Sequence, residues 1–136
     1  MRIMICCSKQ FYHTIEDYKE YLESKGHTVI LPNCYDNPML EEDIKKSTPD
    51  EHAAWKSHML QSQKNKVLSA DAILILNMPH DNIMGHIGGA TFLEAYEAFM
   101  NNKTIYLLSP AVPAILADEI AGFGVTQLDW DVEKIS

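Results

Sequence analysis

The chain has 136 residues, a formal net charge of −8 and a single arginine, Arg2. That length suits one domain over residues 1–136, burying roughly 65–70% of its unfolded surface, and is short for two. Ordinary apolar content excludes a disordered or fibrous chain, no apolar run reaches a membrane span, and an acidic chain without a basic run has no general attraction for a nucleic acid polymer.

In chain order, strand-like and helix-like patterns alternate. Arg2–Cys7 is a short apolar run that reads as a buried parallel strand, not as a signal peptide, so a cytoplasmic location is expected. Ser8-Lys9-Gln10 turns the chain into a helix reaching about Lys25, with Tyr12, Ile15, Tyr18 and Leu22 on one face and Gly26 as its stop. His27–Leu31 is a second strand ended by Pro32. Asn33 to about Pro49 is polar and reads as an excursion from the core. Pro49-Asp50 opens a long helix to about Leu68, with Trp55, Met59 and Val67 facing inward. Ala72–Leu76 is the clearest strand, short and wholly apolar.

A turn-rich loop, Asn77 to Ala90, leads to a helix over about Phe92–Met100. Thr104–Leu108 is a fourth strand, Pro113–Ala121 a short helix stopped by Gly122, and Val125–Leu128 a fifth strand. The pattern predicts a doubly wound, flavodoxin- or Rossmann-like parallel sheet of order 2-1-3-4-5 with helices on both faces. Ligands of such sheets bind beyond the carboxyl ends of the strands, which nominates Cys7–Tyr12, Asn77–Glu94 and Ser109–Pro113.

Several chemistries are excluded by missing residues. There is no GxGxxG after the first strand, no GxxxxGK[ST], no GxSxG and no Cys-x5-Arg loop, since no arginine follows Cys7. Three cysteines make neither a disulfide framework nor a zinc spacing, and reduced thiols are expected. Cys6 and Cys7, as strand neighbours, should face opposite sides of the sheet. No metal and no cofactor is expected: His80, Asp81 and His86 share one loop, but without a recognised ligand spacing.

What remains is Gly88-Gly89-Ala90-Thr91-Phe92-Leu93-Glu94. Two glycines admit close approach of a ligand to the backbone, and the helix that follows offers free N–H groups to anions. Glu94 there could attack or stabilise the anomeric carbon of a sugar. The competing reading is a capping box, in which Thr91 and Glu94 satisfy each other's N–H groups. Fourteen residues from Asn77 to Ala90 is long for a bare cap and suits a binding loop. Cys7, at a helix start, is either an activated thiol or a small buried hydrophobe. Ser8 either donates to a ligand or caps the helix, and Tyr12 either lines a base pocket or packs in the core.

Ser69-Ala70-Asp71-Ala72-Ile73-Leu74-Ile75-Leu76-Asn77, the glycine turn with Glu94, and Lys103-Thr104-Ile105-Tyr106-Leu107-Leu108 resemble the nucleoside 2-deoxyribosyltransferase superfamily. So does the opening Ile5-Cys6-Cys7-Ser8. The similarity spans nearly the whole chain and is closest to a bacterial branch with a Gly-Gly-x-Thr-Phe-Leu-Glu turn. The resemblance implies cleavage or transfer of an N-glycosidic bond of a nucleoside or nucleoside monophosphate, with Glu94 as nucleophile. It implies sugar, phosphate or base contacts from Cys7, Ser8, Tyr12, Asn77, His86, Gly88, Gly89 and Thr91, and a homodimer or larger homo-oligomer. Members carry an aspartate where this chain has Gln63, which nominates His58 as the nearest ionisable substitute. The alternative expectation is a nucleotide-binding or sensory domain that keeps the pocket without turnover.

Overall fold

The computed structural model describes residues 1–136. Five strands, β1 (Arg2–Cys6), β2 (Thr28–Ile30), β3 (Ala72–Ile75), β4 (Thr104–Leu107) and β5 (Thr126–Gln127), pair in parallel in the order β2-β1-β3-β4-β5. The predicted strand order and doubly wound class are therefore observed. The helices are α1 (Ile15–Ser24), α2 (Leu40–Ile44), α3 (Pro49–Ser69), α4 (Gly89–Met100) and α5 (Ala117–Gly122), with short 3-10 turns at Lys9–Thr14, Ala114–Leu116 and Val132–Lys134.

The apolar runs of β1, β3 and β4 are buried on both faces because alternate side chains feed two separate cores. Ile3, Ile5, Cys7, Leu74 and Tyr106 point to one, with Phe11, Ile15 and Leu22. Met4, Cys6, Ile73, Ile75 and Leu107 point to the other, with Val67 of α3 and Ala95 and Ala98 of α4. Cys6 and Cys7 accordingly lie on opposite faces, and all three cysteines are free.

Differences from the sequence expectation sit at element ends and in the excursion. The helix expected directly after Ser8 starts as a 3-10 turn, and α1 proper begins at Ile15. The polar excursion contains one short helix, α2, rich in acids in its first turn. A capping box does exist in the chain, but at the start of α3, where Thr48 accepts from the Glu51 N–H and Pro49 takes the first helical position. No helix is long and apolar enough to cross a membrane.

The carboxyl ends of β3 and β4 are stitched together by Asn77. Its amide nitrogen donates to the carbonyls of Ser109 (3.1 Å) and Ala111 (2.8 Å), and its oxygen accepts from the Ser109 N–H at 2.9 Å. The following loop is folded down by a bridge between His80 and Ile83 and a bond from His86 N–H to the Met78 carbonyl. Gly85, at φ +71°, lies so close to the Ala111 carbonyl that a Cβ would stand 1.8 Å from its oxygen. Only glycine fits there.

Candidate active site

A cavity of about 210 Å³ opens at the carboxyl ends of β1 and β2, against the start of α4. Its inner wall is Cys7 and Ser8 after β1, the glycine turn Gly88–Thr91, and Glu94 of α4. Its outer wall is Asn33 and Cys34 after β2, Glu41 of α2, and Trp55, Lys56, Met59 and Gln63 of α3. Tyr12 closes a side, its hydroxyl donating to the Asn33 carbonyl at 2.8 Å.

The capping-box reading of Thr91 and Glu94 does not hold. Gly88 is the N-cap and α4 starts at Gly89, three residues before Phe92, so Thr91 is already inside the first turn and Glu94 lies another turn on, out of reach of the N-cap. No side chain caps α4, which leaves the N–H groups of Gly89, Ala90 and Thr91 without a capping side chain at the cavity wall. The Glu94 side chain is buried, 5% exposed, and reaches the cavity.

Burial sets the electrostatics of this carboxyl. Desolvation pushes the Glu94 pKa up to about 8, opposed by the positive charge of Lys66, the neighbouring Cys6 thiol and the charge of Lys56. Lys66 is itself held below its ordinary pKa by burial, and its ammonium donates to the Leu31 carbonyl at 2.9 Å. The activated-thiol reading of Cys7 fails for the same reason. Burial, and then the Glu94 charge, push its thiol up to about 12, so it serves as a small wall residue.

Of the residues nominated from sequence, Cys7, Ser8, Tyr12, Gly88, Gly89, Thr91 and Glu94 come together around one cavity. Three do not. His58 is exposed on the solvent side of α3, because the stripe Trp55–Met59–Gln63–Val67 turns the other face of that helix inward. Asn77 is fully buried and occupied in the β3–β4 stitch. His86 lies behind the glycine turn, edge-on to Phe11 with 6.0 Å between ring centroids and 5.3 Å from His80. No group of three or more His, Cys, Asp or Glu is arranged to hold a metal ion.

Sequence reasoning missed the outer wall. Trp55 and Met59 face inward as expected, but onto the cavity and not into a packed core. Glu41 accepts from Lys56 Nζ at 3.3 Å and pairs with His52 Nε2 at 3.0 Å. These two partners and Lys45 outweigh burial and hold the Glu41 carboxyl below its usual range. The one available signal was the i, i+4 spacing of His52 and Lys56 beside Trp55, on a helix preceded by an acidic turn. The chain matches no protein-family model, and no curated protein or solved structure is significantly similar to it.

Proposed function

We propose that the protein is a nucleoside 2-deoxyribosyltransferase-like enzyme that cleaves or transfers the N-glycosidic bond of a nucleoside or nucleoside monophosphate, with Glu94 as nucleophile. The observation that carries this reading is Glu94 itself, a buried carboxyl with no capping partner, bordering a cavity beside an uncapped helix start. A structural carboxylate would be capped or held in an ion pair; one buried at a cavity wall with only the Cys6 thiol bonded to it is the arrangement of a functional acid. Ser8, Thr91 and the N–H groups of the glycine turn would hold sugar or phosphate, and Tyr12 and Cys7 would shape the space around them. Attack by Glu94 at the anomeric carbon forms a glycosyl ester, which water or a second base then resolves.

The test is free base released from a panel of nucleosides and their monophosphates, measured by chromatography. Release by the wild type and its loss in Glu94→Ala would support the reading. Absence of release across the panel would remove it.

One observation favours a second reading, a nucleotide-binding or sensory domain without turnover. Gln63 supplies an amide where an acid would serve the leaving group, and that amide is engaged with the Ala90 carbonyl. A nucleotide that raises the melting temperature without being cleaved would decide for it. In either case we place the protein in the cytoplasm as a homodimer or larger assembly. The exposed apolar residues Leu68 of α3 and Leu93, Tyr96, Phe99 and Met100 of α4 support a contact between copies on that face.

A further inference from the structure

The proposed reaction leaves one requirement unmet. When the C1′–N bond breaks, its electron pair departs on the base, and something must receive that charge. Gln63 is unsuited, because its nitrogen donates to the Ala90 carbonyl at 3.2 Å and an amide carries no transferable proton at neutral pH. His58 is outside the cavity.

The outer wall carries the needed group. Lys56 lines the same cavity as Glu94. Three neighbours hold its surroundings in place. Its ammonium lies 3.3 Å from Glu41 Oε1 and 5.9 Å from the ring centroid of Trp55, and the other Glu41 oxygen is held by His52 at 3.0 Å. His52 in turn stacks on Trp55, with 6.2 Å between centroids and 21° between planes. A charge fixed before the reaction begins stabilises a transition state more than a mobile one, because little reorganisation is needed as the bond breaks. The charge of Lys56 is also felt at Glu94, so both ends of the reaction fall within one electrostatic field.

We propose that Lys56, held by Glu41 on the cavity wall opposite in sequence to the glycine turn, is the catalytic residue that takes up the negative charge of the departing base. This rests on the N-glycosidic reading given under Proposed function. The Glu94 carboxylate oxygen forms the C1′–O bond as the C1′–N bond breaks, and the electron pair of that bond leaves on the base. The Lys56 ammonium donates a hydrogen bond and then its proton to a base nitrogen or oxygen. One water then opens the ester, its oxygen going to C1′, and the proton it releases restores the Lys56 ammonium, which leaves the sugar free and Glu94 as the carboxylate. Glu41 acts as a positioning residue.

The experiment compares leaving groups. Guanosine is paired with 7-methylguanosine, and 2′-deoxyuridine with 5-fluoro-2′-deoxyuridine; the second of each pair has a base that departs with less demand for a proton. kcat/KM is measured for wild type, Lys56→Met, Lys56→Arg, Glu41→Gln and Glu94→Ala. Lys56→Met is expected to slow the first member of the pair that is turned over by about 10²-fold and the second by less than about tenfold. Lys56→Arg, which keeps the charge and the hydrogen bond but does not give up its proton, should recover only part of the loss, and Glu41→Gln should show the same leaving-group bias to a smaller degree. Glu94→Ala should abolish both members equally. Equal losses within a pair for Lys56→Met, or no loss, would overturn the assignment of Lys56 while leaving Glu94 in place. Wild-type protein that cleaves none of the four, either as nucleosides or as their 5′-monophosphates, would overturn the N-glycosidic reading and this assignment with it.

Discussion

Gln63 on α3 donates from Nε2 to the carbonyl of Ala90 at 3.2 Å, tying the long helix to the glycine turn from which α4 starts. Gln63 is 8% exposed and borders the cavity beside Glu94. It also borders a second hollow of about 190 Å³ between α3 and α4 that Glu94 reaches from the other side. One amide thus fixes the turn and keeps a neutral group next to a carboxyl that burial already disfavours as an anion.

Gln63→Glu would replace that donor by an acceptor facing a carbonyl and add a second acid to the pocket. A destabilisation of roughly 1–3 kcal/mol is expected from the lost bond and the unpaired group. It should grow as pH rises, because both carboxyls then tend toward charge. Thermal melts of wild type and variant at pH 6 and pH 9 would show it. Equal melting temperatures at both values would mean that the amide neither ties the turn nor shields Glu94.

The glycine turn separates ligand chemistry from folding. A Cβ at Gly89 would meet nothing within 4 Å, and Gly89 is the first residue of α4. Gly89→Ala should therefore leave the stability unchanged, or raise it by up to about 1 kcal/mol of helix preference. If a ligand lies against the first N–H groups of α4, the added methyl sits in its place, and affinity should fall by about tenfold or more. Isothermal titration with the best nucleoside or nucleotide measures this. Unaltered affinity would move the ligand away from the turn.

How much of this was legible depended on whether one residue's neighbours were local. The strands were readable because β1, β3 and β4 are apolar without interruption, and their alternation into two cores follows from the pleat alone. The inner wall was readable because Ser8 follows β1 closely and Gly88, Gly89 and Glu94 end the connection from β3 into α4, where the topology gathers them. The start of α4 was misread by three residues, since Thr91-x-x-Glu94 has the spacing of a capping box although the N-cap is Gly88. The outer wall was hidden. Lys56 and Glu41 are 15 positions apart, and only the packing of α2 on α3 brings their charges together.

The face carrying Leu93, Tyr96, Phe99 and Met100 yields a prediction about assembly. These four side chains are each between 42% and 54% exposed, and Leu68 of α3 extends the patch. A monomer of this size ordinarily exposes a smaller apolar patch than two adjacent helices bearing five large side chains. Tyr96→Glu should convert a homo-oligomer to monomer in light scattering after size exclusion, with the fold retained by circular dichroism. A wild type that elutes as a monomer at tens of micromolar would remove this face as a self-contact.

Glu94 links stability to pH, and the sign can be worked out. Its folded pKa is about 8, against an ordinary value of 4.5. Below pH 4.5 the carboxyl is protonated in folded and unfolded chains alike, and it contributes no penalty. Between about 4.5 and 8 the unfolded chain releases the proton while the folded chain keeps it, so stability falls as pH rises and levels off above 8. At about 1.4 kcal/mol per pH unit the full effect is on the order of 3–5 kcal/mol. Glu94→Gln has no proton to lose there. Its melting temperature should match the wild type near pH 4.5 and exceed it increasingly toward pH 8 and above. A difference that stays constant across this range would mean that Glu94 is not held neutral by burial. The same carboxyl, if it attacks as the anion, should make kcat/KM rise with pH through about 8. A rate that falls through that pH would instead make Glu94 a proton donor, with the attacking group elsewhere.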